Sequence, residues 1–73
     1  MKEQLYKLLE TKALAEKEQA ITTMRLLSEH PAGIGDHSTK DFYDNAEEAL
    51  QTLVDAEDKL AILIKFKLEL FTS

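Results

Sequence analysis

The clearest pattern in this chain is a run of apolar residues in its second half, spaced alternately four and three positions apart. The run consists of Phe42, Ala46, Ala49, Leu53, Ala56, Leu60 and Leu63. This alternation averages 3.5 residues per repeat, which is typical of a helix packed lengthwise on another helix. The sequence therefore predicts a long helix whose apolar stripe is covered by a neighbour.

The first half of the chain predicts a second helix with a less regular stripe. Residues 2–29 contain no glycine or proline and are rich in good helix formers. A repeat of seven residues is formed by Tyr6, Ala13, Ala20 and Leu27. The polar segment 16–19 interrupts this apolar surface for a full turn. Small residues recur along both predicted helices, which predicts that the two helices approach each other closely. These residues are Ala13, Ala20, Ala46, Ala49 and Ala56.

Breakers of regular structure are confined to the middle of the chain, where the only proline and both glycines lie. Pro31 disfavours helical geometry at the residue before it, so the first helix should end near residue 29. Ser38 can cap the second helix, with Asp41 three residues later in a capping-box pattern, and Thr39 is an alternative cap. We therefore predict one all-α domain over residues 1–73, with helix 2–29, turn 30–38 and helix 39–70. Helices of similar length joined by a short loop should form an antiparallel hairpin.

The end of the second helix allows a different interpretation. Ile62, Ile64, Phe66, Leu68 and Leu70 occupy every second position, which is a strand pattern. A lone strand in a helical chain would need a second copy as its partner. The unbroken helical context from residue 46 onward favours a helix, and a strand over residues 62–70 is the alternative.

Size and composition predict that the chain self-associates. A monomer of 73 residues buries only about 60% of its unfolded surface, and chains this small commonly need a disulfide, a metal or a partner. The absence of cysteine excludes disulfides and thiolate metal sites. Read as a helix, residues 60–71 are apolar nearly all round, so one neighbouring helix leaves Ile62, Phe66 and Phe71 partly exposed. Such a patch marks an interface.

We therefore expect a homodimer in which two hairpins pair by twofold symmetry into a four-helix bundle. We expect Leu53, Leu60, Leu63 and Ile64 in the core, with the exposed patch at the subunit contact. The alternatives are a monomer whose C-terminal turn frays, and a patch that docks on a different protein.

The net charge and the hydropathy of the chain limit the kinds of partner that it can bind. The net charge is -5 and the basic residues are scattered, so direct nucleic-acid binding is not expected. The N-terminus lacks the apolar segment of a signal peptide, and the longest apolar run, residues 60–64, is far shorter than the roughly 20 residues that span a bilayer. We expect a soluble, cytoplasmic protein without membrane contact.

Three groups of residues could carry chemistry, but none of them matches a known kind of site. His30, Asp36 and His37 offer metal ligands, but their spacing fits no established motif. The Gly33-Ile34-Gly35-Asp36 segment is too short for a phosphate-binding loop and lacks the following lysine. The helical carboxylates lack the Glu-x-x-His pattern of di-iron bundles. We expect no catalytic residue, no metal, no cofactor and no enzymatic activity.

One segment carries a resemblance to a known group of proteins. The stretch His30-Pro31-Ala32-Gly33-Ile34-Gly35-Asp36-His37-Ser38, followed by an acidic helix that contains Ala56-Glu57-Asp58-Lys59-Leu60, resembles small helical proteins of tailed bacteriophages, including T4-like phages and their marine relatives. These proteins share a Pro-x-Gly-hydrophobic-Gly-Asp/Glu-His turn between two helices. The hinge motif here comprises His30, Pro31, Gly33, Gly35, Asp36 and His37. The resemblance covers roughly residues 30–60 and assigns no functional residue.

The sequence therefore predicts a non-enzymatic accessory or interaction protein that self-associates. The resemblance implies a phage-encoded protein in a bacterial host cell. It also implies an alternative function, an adaptor that binds a phage or host DNA-replication or recombination protein. The hinge motif or the C-terminal apolar patch would then make the contact.

Overall fold

The computed structural model describes residues 2–29 and 38–72, which form helix α1 (Lys2–Glu29) and helix α2 (Ser38–Thr72). Side chains are described for residues 2–29, 40–67 and 69. The prediction of an all-helical fold with two packed helices is confirmed over these residues, in which no strand occurs. Helix α2 begins one residue before the predicted start at 39 and ends two residues after the predicted end at 70.

Residues 62–70 continue α2, so the alternative of a strand is wrong. The period-two alternation lies at the end of a long helical segment, and a strand there would have had no partner within the chain. The capping side chains expected at Ser38 and Thr39, and the whole hinge motif, lie outside the described residues.

The two helices pack side by side in opposite directions. Lys17 of α1 lies 3.0 Å from Glu57 of α2, and near the chain ends Lys67 lies 5.8 Å above the ring of Tyr6. Residue numbers therefore rise along one helix as they fall along the other. The molecule is a rod of 57 × 15 × 15 Å, with residues 2 and 72 at one tip and residues 29 and 38 at the other.

The buried interior is narrow and consists mainly of alanine. Within the described helices the buried apolar residues are Tyr6, Ala13, Ala20, Ala49 and Ala56. Alanines at a seven-residue spacing allow the helix axes to approach closely, as their positions in the sequence predicted. Ala46 is only half-buried.

The predicted core of larger residues needs correction. Leu53, Leu60 and Leu63 border the interior and are half-buried, while the side chain of Ile64 is 64% exposed. The prediction for Ile64 is wrong because each helical residue is rotated by about 100° from the one before it. Ile64 therefore points away from the stripe that ends at Leu63.

Polar residues 16–19, which interrupt the stripe of α1, place two ion pairs across the helix interface. The Lys59 ammonium lies 3.2 Å from a Glu16 carboxylate oxygen, and the Lys17 ammonium lies 3.0 Å from Glu57. All four side chains are partly exposed, so each pair contributes about 0.2–1 kcal/mol. The interruption of the stripe therefore helps to set the register of the two helices.

Candidate interaction surface

An open apolar groove of about 380 Å³ runs along one side of the hairpin near the chain ends. Its apolar lining consists of Leu9, Ala13, Ile62, Leu63 and Phe66. A smaller groove beside it adds Leu5 and Tyr6. We call this side of the hairpin, including its continuation toward the connection between the helices, the Phe66 face.

The large side chains of the Phe66 face are incompletely covered. Ile62 is 51% exposed, Phe66 is 49% exposed and Leu9 is 45% exposed. The structure thus brings two of the predicted interface residues, Ile62 and Phe66, into one groove. The side chain of the third, Phe71, lies outside the described residues.

Sequence reasoning missed the contribution of α1 to this surface. Leu5 and Leu9 are both exposed and both line the grooves of the Phe66 face. The signal was present, because Leu9 follows Tyr6 by three residues and precedes Ala13 by four. That spacing places Leu9 beside the buried column, where a second helix pair can reach it.

The Phe66 face becomes polar toward the connection between the helices. A second groove there is lined by polar residues beside Ala20 and Ala49. Its polar lining consists of Gln19, Thr23, Asn45, Glu48 and Thr52. Gln19 and Thr23 follow Lys12 and Glu16 of the first groove by seven residues, so both grooves lie on the same side of the hairpin.

Three zones therefore follow one another along the Phe66 face. The apolar zone at the chain ends contains Leu5, Leu9, Ile62 and Phe66. The charged zone at mid-length contains the Glu16–Lys59 ion pair and Lys12, all of which line the first groove. The polar zone at the opposite tip contains uncharged side chains such as Thr23 and Thr52, together with Glu48.

The opposite side of the hairpin carries a different apolar surface. A shallow groove there is lined by Met24, Ala46 and Leu50, and Leu50 is 51% exposed. Ile64 follows Leu50 by fourteen residues, which is two repeats of seven, so it lies on the same side of α2. The Lys17–Glu57 pair contributes charge to this opposite side.

None of the polar or charged residues that the structure describes is buried. Among them no group of three or more His, Asp or Glu side chains is placed to hold a metal ion. The pKa of Lys40 is raised because its ammonium donates a 2.7 Å hydrogen bond to the Asp44 carboxylate and is attracted by its charge. This pair lies one turn apart on the surface of α2, away from the grooves. The candidate ligands His30, Asp36 and His37 lie outside the described residues.

Neither helix, over its described residues, is apolar for long enough to cross a membrane. Comparison of the chain with known proteins gives no match to a family model, to a curated protein or to a solved structure.

Proposed function

We propose that this chain is a non-enzymatic interaction protein that forms a homodimer through the Phe66 face, giving a four-helix bundle. One observation supports this most strongly. Within the described residues the buried interior consists of Tyr6 and four alanines, whereas larger apolar side chains such as Phe66 and Ile62 stay about half exposed. A second hairpin would cover those side chains with helices of matching length.

The total surface area supports the same proposal. The chain exposes 5813 Å², whereas a compact monomer of 8.3 kDa exposes about 4,600 Å². The excess is roughly 1,200 Å², and a stable dimer of standard size removes about 800 Å² from each partner. The chain therefore exposes more surface than a compact monomer of its mass, as expected of a hairpin with an uncovered side.

Covering the apolar zone also contributes part of the free energy that a dimer needs. Burying a large apolar side chain completely is worth about 1.5–3 kcal/mol, so covering one that is half exposed is worth about 1 kcal/mol. Twofold symmetry counts Leu9, Ile62 and Phe66 twice, which gives about 6 kcal/mol before the cost of association. Further apolar contacts, such as Leu5, add to this sum.

Sedimentation equilibrium of three proteins tests the proposal. We expect the wild type to be a dimer at tens of micromolar and Phe66→Asp to be a monomer, because a buried carboxylate without a partner is costly. Val54→Asp is the matched control, since Val54 is 44% exposed but lines none of the grooves of the Phe66 face. Circular dichroism checks that all three remain helical. A wild-type monomer at this concentration would contradict the proposal.

A second candidate function is that of an adaptor. Dimerisation through the Phe66 face would leave Leu50 and Ile64 uncovered on the opposite side, and both are more than half exposed. The resemblance of residues 30–60 to phage proteins points to a DNA-replication or recombination protein as the partner. An adaptor of this kind would lose that partner in Ile64→Asp while remaining a dimer.

A further inference from the structure

We infer that the two copies stack with their long axes parallel, so that residues 2 and 72 of both copies lie at one tip of the dimer and residues 29 and 38 of both copies lie at the other. The twofold axis then runs along the rod between the two Phe66 faces. This inference rests on the proposed dimer and specifies the direction of its twofold axis. It depends on how the three zones of the Phe66 face match under each possible rotation.

Two kinds of twofold axis allow the same face to meet itself. An axis along the rod keeps each zone at its own height, so the apolar zone of one copy meets the apolar zone of the other. An axis across the rod at mid-length reverses the heights. It would place Leu9 and Phe66 against the polar zone that contains Thr23 and Thr52. Only the first rotation places the apolar zone against the apolar zone and the polar zone against the polar zone.

The charged zone distinguishes the same two rotations independently. Within one chain Glu16 and Lys59 lie at the same height, since their charged atoms are 3.2 Å apart. Rotation about the long axis places α1 of one copy over α2 of the other, so Glu16 meets Lys59 of the second copy. Rotation about the crosswise axis places α1 over α1, so Glu16 meets Glu16 and Lys59 meets Lys59. Like charges that face each other oppose association.

A crosswise axis shifted to the apolar zone is a third arrangement. It would let the apolar zones overlap and carry the charged zones apart. The two rods would then overlap over only about half of their 57 Å length and would leave the polar halves uncovered. The lengthwise axis covers the whole face and is therefore the arrangement that the zones favour.

Spin labels at the two ends of α1 test the inference. The chain has no cysteine, so Gln4→Cys and Glu29→Cys each provide a single labelling site. Both side chains are exposed and line none of the grooves of the Phe66 face. With the lengthwise axis, pulsed electron paramagnetic resonance should give about 30 Å between labels at both sites, because the labels are separated only by the width of the bundle.

The crosswise arrangements give different distances. An axis at mid-length separates the Glu29→Cys labels by about 45 Å or more, because each label lies about 20 Å from the axis along the helix. A shifted crosswise axis gives a short distance at Gln4→Cys and about 60 Å at Glu29→Cys. Either result, from a protein that sediments as a dimer, would overturn the inference and leave the proposed dimer standing. The absence of coupling in a protein that sediments as a monomer would instead remove the dimer itself.

Two controls assign the measured distances to the Phe66 face. Adding Phe66→Asp to each labelled chain should abolish the coupling, whereas adding Ile64→Asp should leave the distance unchanged. The reverse result would place the contact on the opposite side of the hairpin and overturn the inference. Mixing with excess unlabelled chain should reduce the coupling in proportion, as required for a distance between copies.

Discussion

At the scale of single residues, the size of the side chain at the helix contact decides how close the helices come. Ala56 is 1% exposed and Ala13 is 1% exposed, so neither position has room for a longer side chain. Alanine side chains allow the two helices to pack closely, but they bury little apolar surface area. The large side chains are left at the borders of the contact, where a second copy can reach them.

Substituting Ala56→Leu should therefore destabilise the protein. We expect a loss of about 1–3 kcal/mol in the free energy of unfolding, because the added methylenes force the helices apart. Chemical denaturation followed by circular dichroism at fixed protein concentration measures it. Ala61→Leu is the control at an exposed position of the same helix, where we expect a change within about 0.5 kcal/mol. Equal stability of the two variants would contradict the alanine contact.

At the scale of the helices, the sequence predicts the local backbone structure of each helix. It does not predict features that depend on how the two helices are placed against each other. The bounds of α1 and the helical state of residues 62–70 follow from helix formers, breakers and the 3.5-residue repeat. The Glu16–Lys59 pair could not be predicted, because it requires the register of α1 against α2. The error at Ile64 has a related cause, since a helix that is apolar nearly all round does not show which side faces its neighbour.

The same limit applies to the interaction surface. The exposure of the Ile62 and Phe66 side chains could be predicted from the sequence, because one neighbouring helix covers only one stripe of α2. Their grouping with Leu5 and Leu9 in grooves of the same face required the packed pair of helices. The division of the Phe66 face into three zones is likewise invisible until both helices are placed side by side.

The cross-helix ion pair should show a measurable coupling in a double-mutant cycle. We expect Glu16→Gln and Lys59→Gln, alone and combined, to give a coupling of about 0.2–1 kcal/mol in unfolding experiments at low salt. The coupling should shrink in 1 M salt, where the screening length falls to about 3 Å. Glu18→Gln is the control, since Glu18 is exposed, and its coupling to Lys59→Gln should be zero. A coupling that is absent at low salt would contradict a role of the pair in setting the register.

At the scale of the whole molecule, the free energy of folding should depend on dimerisation. A rod that buries mainly alanine has little to hold it together alone, so folding should draw on the contact between copies. The melting temperature should then rise with protein concentration. Each tenfold increase is worth about 1.4 kcal/mol per dimer, or about 0.7 kcal/mol per chain, which corresponds to about 3–6 °C in a domain of this size.

Thermal unfolding over a hundredfold range of concentration measures this rise. Phe66→Asp should melt at a lower temperature that no longer depends on concentration, because the monomer unfolds without dissociating. Val54→Asp should keep the wild-type slope, since Val54 lies outside the grooves of the Phe66 face. A wild-type melting temperature that stays constant over this range would mean that the hairpin is stable alone. The alanine contact and the two ion pairs would then be enough to hold the helices together, and the Phe66 face would be free for a different partner.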